Sequence, residues 1–356
     1  MSLPRVVAAL PAISRVAPLA RRFCQLCAPS TVSSSSFASL IDIPCSTVLT
    51  VFVRSAVSSS RPITSRAEMF IAEERGSPYA ADYRVFFKDE SGPISPLHDI
   101  PLWADRARRI AHMVVEVPRW TNAKMEISLA EPLNPIRQDV KKGAMRFVSN
   151  VFPHHGYIWN YGALPQTWED PRHVDAATRA RGDNDPIDVI EIGERVAARG
   201  DVLRVKILGT LALIDEGETD WKLVAVDERD PAAERLHDIA DVETHFPGLL
   251  RATVEWFRLY KVPDGKPVNQ FAFDGEAKDA AFAHKVIDEV HEFWKKLVSG
   301  EAADPSEISL TNVTVEGSAG RVERGEAARV LAAAPPPALP QPVPPAVDKW
   351  HYISSL

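Results

Sequence analysis

From about residue 82 onward the apolar residues arrive in short β-branched or aromatic runs separated by turns, and this limits the folds open to the chain more than any other feature. Tyr83–Phe87, His112–Val117 and Lys124–Leu129 are such runs, and Leu203, Val205 and Ile207 alternate with Val202, Arg204 and Lys206. Successive side chains of a strand point to opposite faces, so this spacing predicts strands. Turns between them, in place of helices, predict an antiparallel barrel and argue against a βαβ array. Two helical stretches come late. Leu250, Val254 and Phe257 recur at i, i+4 and i+7, while Phe282, Val286, Val290, Phe293 and Leu297 form an apolar stripe on a charged helix. Both stripes are expected to face the core and cover the barrel.

At 356 residues, 45% hydrophobic and 25% charged, the composition is that of a globular chain with a real core. Charge is uneven. Of 41 basic and 48 acidic residues, seven Arg and Asp42 fall in residues 1–66, leaving 34 basic against 47 acidic beyond them. A body that acidic disfavours nucleic acid, whose backbone is held by Lys and Arg. Residues 1–66 also hold fourteen serines and no Lys. That composition is expected of an organellar transit peptide, cleaved or disordered, with the mitochondrial matrix as the first destination and a plastid as the second. A start at Met69 would instead leave the protein in the cytoplasm. No apolar run is long enough to span a membrane, because Pro11, Arg15, Arg21 and Arg54 interrupt it. Cys24, Cys27 and Cys45 all lie in this segment, so the rest of the chain has neither disulfide nor thiolate ligand. A folded domain is expected over 67–330. Seven prolines in 335–345 predict an extended linker over 331–346, and Trp350 and Tyr352 predict a tail, 347–356, that docks on the domain.

The acids are clustered. Gly182-Asp183-Asn184-Asp185-Pro186-Ile187-Asp188 carries three carboxylates, and in an extended backbone Asp183 and Asp185 would face one side, with Pro186 bending the chain near Asp188. Asp215, Glu216, Glu218 and Asp220 form a second cluster, with Asp220 and Lys222 on one face of the following strand, and Lys124 and Glu126 share a face elsewhere. Each cluster alone reads equally well as a polar surface turn. Together they pose a problem, since two carboxylates ~4 Å apart repel by about 4 kcal/mol at an effective dielectric near ~20 and must protonate or bind cations. Oxygen ligands without Cys or clustered His favour magnesium or manganese over zinc or copper. An EF-hand fails, because Ile187 and Asp188 stand where its loop needs Asp or Asn and then Gly.

Magnesium held by few carboxylates keeps waters and recruits substrate phosphates. Lys124, Arg146, Lys222 and Lys261 offer cations near the clusters, and Tyr157, Tyr161 and Tyr260 offer phenolic donors. No G-x-G-x-x-G is present, and Pro267 after Gly265-Lys266 breaks a Walker motif. His154 and His155 are adjacent, point apart on a strand, and read as packing or interface residues.

The chain resembles the eukaryotic-type soluble inorganic pyrophosphatases of family I from roughly Arg84 to Val315, and again at Asp348-Lys349-Trp350. The segments H-D-I-P-L (98–102), V-V-E-V-P-R-W-T-N-A-K-M-E-I (114–127), L-N-P-I-R-Q-D (133–139), H-G-Y-I-W-N-Y-G (155–162), P-Q-T-W-E-D-P (165–171), G-D-N-D-P-I-D-V (182–189) and D-E-G-E-T-D-W-K (215–222) carry the resemblance, together with 247–253 and 260–273. It implies a mainly β (α+β) fold: a small OB-like antiparallel β-barrel with flanking helices and extended terminal segments. It also implies several Mg2+ ions, with Mn2+ as a substitute, hydrolysis of inorganic diphosphate to two orthophosphates, and a homodimer without nucleic acid or membrane partners.

Residue by residue, the resemblance makes Asp183, Asp188 and Asp220 ligands of the tightest metal, with Asp188 shared by a second ion. Asp215 with Asp220 would hold a metal arriving with substrate, Glu126 a further one, and Glu116 and Glu218 would be supporting acids. Asp185 matches the residue that activates the nucleophilic water. Lys124, Arg146, Tyr161, Tyr260 and Lys261 match phosphate binders; Tyr157 and Lys222 match residues tuning the water and leaving-group side. The N-terminal extension and the Pro-rich insert depart from the family pattern. The alternatives are a metal-dependent hydrolase of organic polyphosphates, which would cleave ATP and diphosphate alike, a cation-binding module without catalysis, and an OB-type nucleic-acid binder.

Overall fold

The computed structural model describes residues 70–302 and 308–354. Segment 1–66 with its cysteines, and Met69, lie outside the described residues, so the transit-peptide expectation falls there too. The described chain opens with β1 (Ile71–Arg75), β2 (Arg84–Asp89), β3 (Gly92–Ile94), β4 (Trp103–Asp105), β5 (Ile110–Val117), β6 (Met125–Ile127) and β7 (Ile136–Gln138). Then come β8 (Val140–Lys141), β9 (Ala144–Met145), β10 (Asn150–Val151), β11 (Asn160–Ala163), β12 (Arg181–Gly182) and β13 (Asp188–Glu191). The two longest strands, β14 (Val202–Asp215) and β15 (Glu218–Asp227), form a hairpin. Helices α1 (Ile239–His245) and α2 (Leu249–Leu259) precede β16 (Gln270–Phe271) and β17 (Lys278–Asp279); α3 (Ala280–Val298), α4 (Arg324–Ala333) and β18 (Trp350–His351) follow.

Strand pairing closes a ring. β5 pairs with β11, β11 with β13, β13 with β15, β15 with β14, and β14 again with β5. This is the expected small barrel, and it leaves these five strands without open edges. One feature differs from an all-antiparallel reading: β13 and β15 run parallel. Directions cannot alternate all the way around a ring with an odd number of strands, so one parallel pair is unavoidable. A second sheet, ordered β1-β2-β7-β6 with β3 on β2, stands beside it in the chain's pairing.

Alternate barrel residues feed two cores. Val224 and Val226 of β15 join one with Trp256 and Phe257 of α2, while Leu223 and Ala225 join the other with Ala283, Val286, Ile287 and Val290 of α3. Each fully buried Val or Leu contributes roughly 1.5–3 kcal/mol. The α3 stripe is as expected at Val286, Val290 and Leu297, with Phe282 and Phe293 partly buried. The α2 stripe also packs on the core as expected, with Phe257 buried and Leu250 and Val254 partly buried against the same cluster, but the most deeply buried face extends to Thr253 and Trp256. Helices α1 and α4 were not legible in the periodicity, because each is short and α1 buries only Val242.

The Pro-rich stretch is exposed but tied down. Ala338 and Gln341 donate backbone hydrogen bonds to the carbonyls of Gly76 and Pro78, both at 2.9 Å, and β18 pairs in parallel with β10. Among the described residues no helix is long and apolar enough to cross a membrane.

Candidate active site

The parallel pair creates the centre of the site. Its register sets Asp188 of β13 beside Lys222 of β15, and Asp220, two residues back, projects from the same face as Lys222. Lys222 is 2% exposed, and its Nζ donates to Asp188 Oδ2, to Asp220 Oδ1 and, at 3.2 Å, to the Tyr161 hydroxyl. The Tyr161 hydroxyl in turn donates to Asp188 Oδ2 at 2.6 Å. Burial pulls the lysine's pKa down, but Asp188 and Asp220 outweigh it and hold it well above its ordinary value. Burial lifts the Asp220 carboxyl to about 7 against the pull of Lys222, and pushes Tyr161 well up with Asp188 adding to the effect.

β12 runs parallel to the start of β15, with Gly182 opposite Thr219, and delivers Asp183 next to Asp220. The approach requires glycine: a Cβ on Gly182 would lie 2.5 Å from the carbonyl carbon and oxygen of Glu169. Backbone bonds from Asn184 to the Glu169 carbonyl (3.0 Å) and from Glu169 to the Asp185 carbonyl (2.9 Å) lock the two segments together. The expectation that Asp183 and Asp185 share a strand face is corrected here. The segment is a bend with Asn184 at φ 75°, and Asp183 Oδ1 accepts from the Asp185 amide at 3.0 Å. Asp183 therefore turns inward, while Asp185 lies exposed at the rim.

The inward turn exposes a residue that the sequence reading did not single out. Carboxylate oxygens of Glu169, Asp183 and Asp220 lie within 4.8 Å of one another. Glu169 is buried; its Oε1 accepts from the Trp221 amide at 3.2 Å, and its Oε2 has no hydrogen-bond partner among the described residues. Burial raises Glu169 well above the carboxylate range, with Asp183 and Asp220 adding, and raises Asp183 likewise with Asp220 and Asp185 adding. The signal was in the text, since Glu169 belongs to the P-Q-T-W-E-D-P segment, but no spacing rule ties that segment to Asp183.

The remaining expected residues gather around this centre. Lys124 Nζ donates to Glu126 Oε2 at 2.7 Å, and Arg146 Nη1 to Asp139 Oδ2 at 2.8 Å. Burial opposes the Lys124 charge but Glu126 outweighs it, so its pKa is raised. Tyr157 packs its ring 5.1 Å from Tyr161 and 4.9 Å from Trp256, and burial pushes its hydroxyl to about 12. Asp215 ends β14 and accepts from Lys261 Nζ at 2.6 Å and from the Tyr260 hydroxyl at 3.4 Å. Tyr260 is stacked on Trp256 of α2, with ring centroids 4.8 Å apart. Glu116 is buried on β5, accepts from the Ile127 amide at 2.7 Å, and is pushed well up by burial and by Asp188. Glu218 stands apart: it is exposed, and among the described residues no side-chain hydrogen bond or ion pair holds it. His154 faces Glu255 at 3.4 Å and His155 packs on Trp350, so the two engage different partners, as expected of packing residues.

A profile described as Inorganic pyrophosphatase matches residues 113–295. The chain is 58% identical over 300 residues to the inorganic pyrophosphatase of Drosophila melanogaster, covering 83% of this chain and 88% of that one. It is 57% identical over 288 residues to the inorganic pyrophosphatase of Debaryomyces hansenii, covering 80% and 98%. The chain belongs to the eukaryotic-type soluble family I inorganic pyrophosphatases. Its fold superimposes on the inorganic pyrophosphatase structure from Schistosoma japonicum with a TM-score of 0.75 at 48% identity, covering 80% of this chain and all of that one (100%). Within this pyrophosphatase fold, the cluster Glu169, Asp183 and Asp220 suits a metal on physical grounds. The donors are all oxygen, one buried oxygen is unpartnered, and three crowded carboxyls cannot ionise together without a cation.

Proposed function

We propose that this chain hydrolyses inorganic diphosphate to two orthophosphates, with the bowl around Lys222 as the active site. The observation that carries the site assignment is the convergence of Asp183, Asp188 and Asp220, brought in from β12, β13 and β15, on one partly neutralised centre. Asp183, Asp188 and Asp220 would hold the tightest metal, with Glu169 beside Asp183 and Asp220 as a further oxygen donor, and Asp215 and Glu126 would hold ions that accompany substrate; hard oxygen donors make Mg2+ the physiological ion and Mn2+ a substitute. Bound divalent ions would lower the pKa of water and neutralise phosphoryl charge.

The chain's own groups do the rest. Asp185, at the rim, takes the proton as the water oxygen bonds to phosphorus and the P–O–P bridge breaks in line, releasing orthophosphate. Although the residue is exposed at the rim, the protein packed around its carboxyl partly desolvates that group and lifts it to about 6, with Lys124 opposing and Asp188 reinforcing the shift, which suits a base working near neutrality. Lys124, Arg146, Tyr161, Tyr260 and Lys261 bind phosphoryl oxygens; donors placed in advance stabilise developing charge without reorganising. Lys222 fixes Asp188 and Asp220, and Tyr157 buttresses Tyr161. Glu116 acts as a supporting acid; for Glu218, exposed where the turn after β14 enters β15, the same role rests on the family motif alone.

The same reading makes the protein a homodimer. It assigns residues 1–66 as an organelle-targeting segment, with the mitochondrial matrix as destination, and 67–330 as the catalytic domain followed by a Pro-rich segment and docking tail. Orthophosphate release by the full chain, measured with and without Mg2+ on diphosphate and on ATP, tests the activity. Magnesium-dependent release from diphosphate with far slower release from ATP is expected; equal rates would favour the organic-polyphosphate reading.

A further inference from the structure

The face of α2 turned away from the active site lines a cavity that diphosphate hydrolysis does not use. Its volume is about 530 Å3, inside the roughly 300–1,000 Å3 of small-molecule sites. Leu250 and Val254 of α2, with Phe152 and Ile353 from the β10 turn and the C-terminal tail, supply apolar lining. Arg251 and Arg258 of the same helix also line it. They are seven residues apart, so they share a face about 10 Å apart along the axis.

The charges are unbalanced. Glu255, the acid on this wall, faces His154 at 3.4 Å. Arg258 lies over the Phe271 ring at 6.0 Å, and among the described residues neither Arg251 nor Arg258 forms an ion pair with a carboxylate. Two unpaired guanidinium groups beside an apolar cavity complement a ligand with one anionic head and a hydrocarbon body. The head accepts guanidinium N–H bonds, and the body displaces water from the apolar wall. Diphosphate lacks the body, and a neutral alkyl chain lacks the head.

We infer that this cavity is a binding site for an amphipathic anion, a medium-chain carboxylate or alkyl phosphate. It shares α2 with the active site, since Trp256 on the helix's inner face stacks on Tyr260.

Calorimetric titration of the full-length, magnesium-loaded protein with octanoate, octyl phosphate and 1-octanol tests this. Saturable one-site binding is expected for at least one anion, with 1-octanol about tenfold weaker or more. Binding of octanoate alone points to a free carboxylate, and of octyl phosphate alone to a phosphate headgroup; either supports the site. R258Q should weaken the anion about tenfold and leave kcat for diphosphate unchanged, and V254W, by filling the cavity, should abolish binding. Absence of saturable binding by both anions to active protein overturns the inference. So does equal affinity for 1-octanol, or binding that survives R258Q undiminished.

Discussion

At the scale of single residues, the site is a set of charges that burial forces to depend on one another. Lys222 is held as a cation by Asp188 and Asp220, which flank it, while burial lifts the Asp220 carboxyl against the pull of that lysine. Asp220→Ala is therefore expected to raise the Mg2+ concentration for half-maximal activity, read from orthophosphate release across a magnesium titration. Glu169→Gln should do the same while kcat at saturating Mg2+ falls less, because the unpartnered Oε2 is lost but Oε1 still accepts from Trp221; an unshifted titration would separate Glu169 from metal binding. Asp185→Asn keeps the shape of the rim and removes its base. Turnover should drop at least ~100-fold, and the acid limb of the rate profile, set near pH 6 in the wild type, should disappear. Of these residues, Asp183, Asp185, Asp188 and Asp220 were readable from spacing and family resemblance. Glu169 was not, because its closeness to Asp183 comes from two backbone bonds between segments distant in the chain.

At the scale of elements, the parallel β13–β15 pair and the bend at 183–187 do the positioning. The bend depends on Gly182, since any side chain there would meet Glu169 backbone at 2.5 Å. Gly182→Ala should cost about 1–3 kcal/mol of stability, as overpacking does, and should also raise the metal requirement, because β12 must back away from Glu169 and carry Asp183 with it. Urea unfolding beside a magnesium titration measures both; a variant with unchanged values would mean the backbone yields at no cost. The deepest burial on α2 falls on its aromatic residues for a physical reason. Trp256 and Phe257 offer more apolar area than Leu250 and Val254, and aromatic packing against Tyr157, Trp159 and Tyr260 draws them inward.

At the scale of the whole molecule, His98 joins three distant parts. Its Nε2 lies 3.0 Å from the Ser309 carbonyl, and its Nδ1 accepts from Trp294 Nε1 of α3 at 3.0 Å, so the neutral ring donates from Nε2. Burial holds its pKa down at about 4 against 6.5 in the unfolded chain, with the Ser309 carbonyl and Asp99 opposing. Between those values the unfolded chain binds the extra proton, so this stability is complete above about pH 6.5 and is lost as pH falls toward 4, by roughly 3 kcal/mol in all. His98→Gln should flatten that part of the pH dependence of unfolding by denaturant; an identical slope would show that His98 does not titrate in this window. The amino-acid sequence by itself determined the strand-rich class, the two long late helices, the family and the identity of nearly every charged group in the bowl, because periodicity and local motifs are properties of neighbouring residues. The tertiary structure alone decided that β13 and β15 run parallel, that Asp183 turns inward toward Glu169 while Asp185 stays exposed at the rim of the bowl, and that two arginines border an apolar cavity. Closing an odd-stranded ring and packing distant segments are conditions on the whole chain, and no local pattern carries them.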